Sequence, residues 1–201
     1  MPKRRKPRAD APDVAGMRAA IRDFLRAAGV QISGTELEKT PSRVAVAWAE
    51  SFLDGYRADP ASLFEETYPV PAGRPKSAVL LKSIPFHGLC PHHLLPFYGR
   101  AHLAYIPGRK IASLSSLTRL VDVFAHRLEI QETITRQVAE ALTKHLGVDG
   151  AAVALETDQL CVTMRRPDRR GTRTVTQHFT GAYARKSELR LEFLKSLEKF
   201  E

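Results

Sequence analysis

The sequence predicts an α+β fold in which an antiparallel sheet is covered on one face by helices. Three observations carry this reading. Apolar residues recur at helical spacing before residue 56, between 114 and 146, and again at the C-terminus; the period drops to two over 77–108; and it drops to two again after 150. The resulting order is helices, two strands, two helices, two strands, helix. A chain of 201 residues suits one domain with its own core and room for a helical extension.

Taken in order, Val14, Met17, Ile21, Phe24, Leu25 and Ala28 mark a first helix, which Gly29 stops. A second opens at "TPSRVAVAW", with Thr40 as its cap, Pro41 in its first turn, and Val44, Trp48 and Phe52 as its stripe before Gly55. Residues 56–76 hold four prolines and little periodicity and read as a linker. Ala101, Leu103 and Tyr105 alternate with His102, Ala104 and Ile106, so "SAVLLKSIPF" and "YGRAHLAYIPG" form two antiparallel strands joined through "CPHHLLP". Leu114, Leu117, Leu120, Val121 and Phe124 give one helix; Ile130, Ile134, Val138, Leu142 and Leu146 give the next, ending at Gly147. "AAVALET", "LCVTM" and "TRTVTQHFT" are strand-like, the last alternating Thr172, Thr174 and Thr176 with Arg173, Val175 and Gln177. Leu189, Phe193, Leu197 and Phe200 mark a C-terminal helix. The expected organisation is a disordered basic tail over 1–12, an N-terminal helical extension and linker over 13–76, and the sheet-bearing domain over 77–201.

The net charge is +9, and Lys3, Arg4, Arg5, Lys6 and Arg8 supply five of those charges. No aromatic residues interleave with them, so a solvated arm is expected rather than a specific nucleic-acid site. The remaining 26 basic residues against 22 acidic ones suit a phosphate-bearing small molecule. No apolar run approaches the roughly 20 residues of a membrane helix, and the N-terminus lacks the apolar core of a secretory signal. A cytoplasmic protein without membrane contact is expected. Two cysteines in such a chain argue against a disulfide framework and leave metal binding, catalysis or two inert thiols.

"FHGLCPHHLLPFYG" places Cys90, His92 and His93 within four positions, and Cys161 follows in "ETDQLCVTMRR". Zinc takes thiolate and imidazole ligands, and a catalytic zinc keeps three protein ligands and a water. Cys90 and His93, three apart in a tight turn, can reach one ion, and Cys161 would complete the set. His92 would then be available to move protons beside it. By itself, a Cys-x-x-His pair is a weak signal.

Together, "TPSRVA", "LCPHH", "LSSLTRLVDVFAHRLEIQE" and "LCVTMRR", in order across about residues 36–185, resemble the GTP cyclohydrolase I family. The resemblance implies the tunnelling fold: a four-stranded antiparallel sheet with two helices on one face, assembled into an oligomeric ring. The family form is a homo-oligomeric decamer with active sites at subunit junctions. It further implies that Zn2+ held by Cys90, His93 and Cys161 activates water for attack at C8 of the guanine nucleotide. The imidazole ring opens to a formamide, a second hydrolysis releases formate, and the sugar recloses as dihydroneopterin triphosphate. Carried over residue by residue, His92 moves protons, Gln131 and Glu132 read the guanine edge, and Ser115, Arg119, Arg165 and Arg43 face the phosphates. Because the family builds its pocket from neighbouring chains, Cys90 and Glu132 are expected to come from different subunits.

Three positions depart from the family pattern. Gln159 stands where the family has a histidine that moves protons, and an amide cannot exchange protons near pH 7. Val46 and Ser116 stand where better-known members carry lysines toward the triphosphate, a loss of about 1 to 3 kcal/mol each for charge-assisted contacts. The expected consequences are accumulation of the formamidopyrimidine nucleotide and a weaker preference for GTP over GMP. His87 is the nearby histidine with a second chance at proton transfer, although its strand position turns it away. Two competing readings remain: an inactive guanine-nucleotide-binding regulatory paralogue, and a nitrile reductase of the same fold, which needs a nucleophilic cysteine not claimed by a metal.

Overall fold

The structure is a computed structural model that describes residues 11–71 and 77–198. Most of the basic tail, residues 1–10, lies outside the described residues. The chain falls into two compact units, one ending at Ala58 and one beginning at Asp59.

In the first unit, α1 spans Val14–Ala27, with the Asp13 side chain accepting from the Gly16 N–H at 2.9 Å. Gly29, at φ +76°, stops it while the Val30 N–H reaches back to the Leu25 carbonyl. None of its residues is buried, and Phe24 is 71% exposed. Helix α2 spans Thr40–Ala47 and runs on into a π-helical turn over Trp48–Phe52. The expected Thr40 cap is corrected: the Thr40 N–H already donates to Leu37, so the chain has turned before it, and Lys39 occupies the cap position. Pro41 sits in the first turn as expected. The buried face is Pro41, Ala45 and Ala49, with Val44, Trp48 and Phe52 half-buried beside it.

The second unit begins inside the stretch read as a linker, and that reading is corrected. Asp59 caps a 3-10 turn over Pro60–Phe64, which sends Phe64 into the core. Strand β1, Thr67–Pro69, follows; it pairs antiparallel with β4, Lys110–Ala112. The main sheet comprises β2 (Val79–Leu89), β3 (Pro96–Ile106), β5 (Gly150–Gln159) and β6 (Thr174–Thr180). It is antiparallel throughout, in the order β2-β3-β5-β6.

Register explains the core. Ala101 stands opposite Leu155, Leu103 opposite Val153, and Tyr105 opposite Ala151. These six share one face and pack under α3, Leu114–Ala125, and α4, Gln131–Ala141, through residues such as Leu117, Val121, Phe124, Ile134 and Val138. Helix α4 runs through a π-helical turn to Gly147, at φ +71°. On the opposite face Ala104, Ala152 and Ala154 are small enough for Tyr183 of α6 (Gly181–Arg185) and Phe193 of α7 (Ser187–Glu198) to lie against them. The C-terminal helix therefore adds a partial cover to that second face.

"LCVTM" is not a strand. Pairing of β5 ends at Gln159 opposite Phe97, because Pro96 beyond it has no N–H to offer. The chain coils instead into α5, Leu160–Thr163, whose Thr163 hydroxyl donates to Asp158 at 2.8 Å. No helix among the described residues is long and apolar enough to cross a membrane.

Candidate active site

Cys90 closes β2 and opens the six-residue turn to β3. Its N–H donates to the Leu95 carbonyl and its carbonyl accepts from the Leu94 N–H, both at 2.9 Å, while Leu94 takes a left-handed φ of +55° to close the loop. The turn buries Cys90 and leaves His92 and His93 exposed. The Cys90 Sγ lies 3.8 Å from the His92 Nδ1 and 3.9 Å from the His93 Nδ1. Cys161 arrives in the turn of α5, so the ligand atoms of Cys90, His93 and Cys161 lie within 4.8 Å of one another. No other such set occurs among the described residues.

The donor chemistry fits zinc. Tetrahedral coordination with Zn–S near 2.3 Å separates two sulfurs by about 3.8 Å, within reach of small side-chain adjustments here. Burial pushes the Cys161 thiol above its ordinary range, the Cys90 thiol adds to the rise, and Arg165 opposes it. A bound cation reverses that balance, because a coordinating thiol gives up its proton. The Arg165 Nη1 stands 2.7 Å from the His93 Nε2. A guanidinium only donates, so Nε2 is the acceptor here. Ligation through Nδ1 would place the proton on Nε2 and send Arg165 to another acceptor.

A closed polar network sits beside this set. The Gln159 Nε2 donates to the Gln131 Oε1 and to the Thr157 hydroxyl, each at 2.9 Å, and the Thr157 hydroxyl donates to the Gln131 Oε1 at 2.6 Å. The Gln131 Nε2 shares its two hydrogens among the carbonyls of Leu155 and Thr174 and the Thr176 hydroxyl, each at 3.1 Å. Gln131 is 3% exposed and its side chain is spent within the protein, leaving none of it for a base. Glu132, the next residue, is exposed in the first turn of α4. Sequence reasoning missed this network; the threonine alternation on β6 was its one local trace.

The phosphate candidates are placed differently. Ser113 caps α3 by accepting from the Ser116 N–H at 3.1 Å, with the Ser115 and Ser116 hydroxyls 3.0 and 2.8 Å from its own. The other end of α3 meets the metal end of the sheet: a Cβ on Gly88 would lie 2.7 Å from the Ala125 carbonyl, and Leu89 bridges to Leu128. At 1.5 Å per residue, Ser115 stands about 15 Å and Arg119 about 9 Å back along the axis from Ala125. Ser115 therefore stands at the opposite end of α3 from the metal end of the sheet, and Arg119 midway along it. Arg43 is exposed on α2 of the first unit, as is Val46. His87 stacks on His126, ring centroids 4.6 Å apart.

The sequence model of the family described as GTP cyclohydrolase I matches residues 17–198. A GTP cyclohydrolase 1 of Chromobacterium violaceum is 37% identical over 187 residues, covering 93% of this chain and 89% of the relative. One of Deinococcus radiodurans is 40% identical over 177 residues, covering 88% and 81% respectively. An archaeosine synthase QueF-like crystal structure in the apo form overlays with a TM-score of 0.45 and 16% identity, covering 54% of this chain and 98% of that one.

Proposed function

Because the chain belongs to the GTP cyclohydrolase I family, we propose that it is a zinc-dependent hydrolase that opens the imidazole ring of GTP at C8, serving pterin and folate synthesis. The observation that carries this reading is the convergence of Cys90, His93 and Cys161 within 4.8 Å. Zinc held by these three side chains supplies a water acidified to near neutral pH.

The remaining roles fall to the chain's own groups. Glu132 accepts from N1–H and the 2-amino group of guanine, a donor pair that adenine lacks. Water adds at C8, the C8–N9 bond breaks, and C8 remains on N7 as a formamide. His92, beside the ligand set, carries the proton to the departing nitrogen. A second water then cleaves the formamide and releases formate. That step needs an acid for a poor amine leaving group; Gln159 has none to give, and both its amide hydrogens are held by Gln131 and Thr157. A missing acid or base costs about 10²- to 10⁴-fold, so the formamidopyrimidine nucleotide accumulates.

Phosphate recognition calls for a second chain. Arg165 stands at the metal set, whereas Ser115, in the first turn of α3, and Arg119, midway along it, stand back from that end, where they suit the pocket of a neighbouring subunit. This supports a ring, with the family's decamer as the proposed form and Arg43 as a further phosphate contact. The proposed compartment is the cytoplasm, where thiol ligands stay reduced. The test is incubation of the zinc-loaded protein with GTP, GMP, guanosine and ATP, with products identified by mass. Addition of one water to the guanine compounds and none to ATP is expected. Intact GTP after prolonged incubation with protein holding one zinc per chain would overturn the reading.

A further inference from the structure

We infer that Gln131 is a positioning residue, a strut that ties the turn carrying Cys161 to the start of α4 carrying Glu132, and that its side chain takes no part in reading the base. The inference rests on the function proposed above.

The hydrogen bonds fix its orientation without a choice. The carbonyls of Leu155 and Thr174 only accept, so the atom facing them at 3.1 Å is the amide nitrogen. The amide oxygen therefore faces the Thr157 hydroxyl and the Gln159 amide, and both must donate to it. The Thr135 hydroxyl gives its hydrogen to the Gln131 carbonyl at 2.7 Å, so in its 2.6 Å contact with Thr176 the donor is Thr176. That leaves the Thr176 oxygen to accept from the Gln131 Nε2. The two hydrogens of the buried amide are shared among three acceptors and both lone pairs are taken, and a base edge arriving here would have to break bonds whose loss strands buried polar groups.

What the strut joins is the site itself. It reaches from the first residue of α4 to Leu155, Thr157 and Gln159 on β5 and to Thr174 and Thr176 on β6. Two residues past Gln159 stands Cys161, and two residues further Thr163 is pinned to Asp158. Cys161 is thus held between two anchored points, and Glu132 leaves the same α4 turn that the strut fixes. Gln159 is the other half of the device. One nitrogen gives it two hydrogens for two acceptors, whereas either nitrogen of an imidazole gives at most one.

The test uses the full-length protein with Gln131→Met, Gln159→Met, the double variant, and Glu132→Gln as a contrast. Zinc affinity is read by chelator competition, and guanine preference by kcat and KM for GTP against ATP. Loss of a group that orients ligands lowers metal affinity about 10- to 100-fold, and that loss is expected for Gln131→Met with guanine preference retained. The double variant should weaken zinc little beyond Gln131→Met alone, because the two side chains act as one unit. Glu132→Gln should do the reverse, keeping zinc and losing preference. Native zinc affinity with collapsed guanine preference in Gln131→Met, or fully additive losses in the double variant, would overturn the inference. Should Gln131→Met not fold, the half-buried Gln159→Met carries the same test, and native zinc affinity there overturns it equally. Native zinc-loaded protein that leaves GTP intact defeats the proposed function instead, and the zinc affinities still decide the strut.

Discussion

The two ends of α3 face different worlds. At its C-terminal end, beside Gly88 and Leu89, the chain gathers a buried thiol, a second thiol on an anchored turn, two imidazoles, and an amide network closed within the protein. At its N-terminal end Ser115 is exposed and its neighbour Ser116 is occupied with the helix cap, while Arg119 is exposed midway along the helix. The contrast is between a ligand set gathered within one chain and hydroxyl and guanidinium groups that stand exposed along α3.

Removing a metal ligand should have the largest effect. Cys161→Ala should lower bound zinc from one per chain toward none and abolish ring opening, and metal analysis alongside loss of the purine absorbance checks both. Next in size is His92→Ala, expected to keep zinc and to slow ring opening about 10²- to 10⁴-fold as a lost proton carrier. Retained turnover in that variant would move the proton transfer to another group.

The same contrast governs how much was legible in the sequence. The strands around "CPHHLLP" announced themselves because alternation and a tight turn are local signals, and the Cys, His, Cys set was readable from ligand chemistry. "LCVTM" misled because its apolar and β-branched residues suit a strand, and only the missing donor of Pro96 on the neighbouring strand ends the ladder. Phe64 was hidden among prolines, although a capped 3-10 turn carries it into the core. The Gln131 network leaves only the threonine alternation on β6 as a local trace, since its side-chain partners lie 24 to 45 residues away. It also bears on subunit assignment: the Gln131–Gln159 bond places the start of α4 beside the Cys161 turn of the same chain. If the proposed ring forms, Ser115 and Arg119 are the residues expected to come from a neighbour.

Mixing sharpens that point. Cys90→Ala subunits combined with Arg119→Ala subunits should form hybrid rings that regain part of the native turnover, each parent ring being impaired alone. Arg165→Ala should raise KM for GTP by about 10-fold, in keeping with about 1.4 kcal/mol for one charge-assisted contact, and should affect GMP less. The smallest change is a gain: Val46→Lys, on an exposed position of α2, should increase the preference for GTP over GMP a few-fold.

The most direct measurement of the central claim follows GTP isotopically labelled at C8 through the reaction of the zinc-loaded native protein by NMR. The purine C8 signal should give way first to a formamide signal, which builds up well ahead of free formate, and Gln159→His should shorten that delay. A C8 signal that stays in the intact purine while the protein holds one zinc per chain would contradict it.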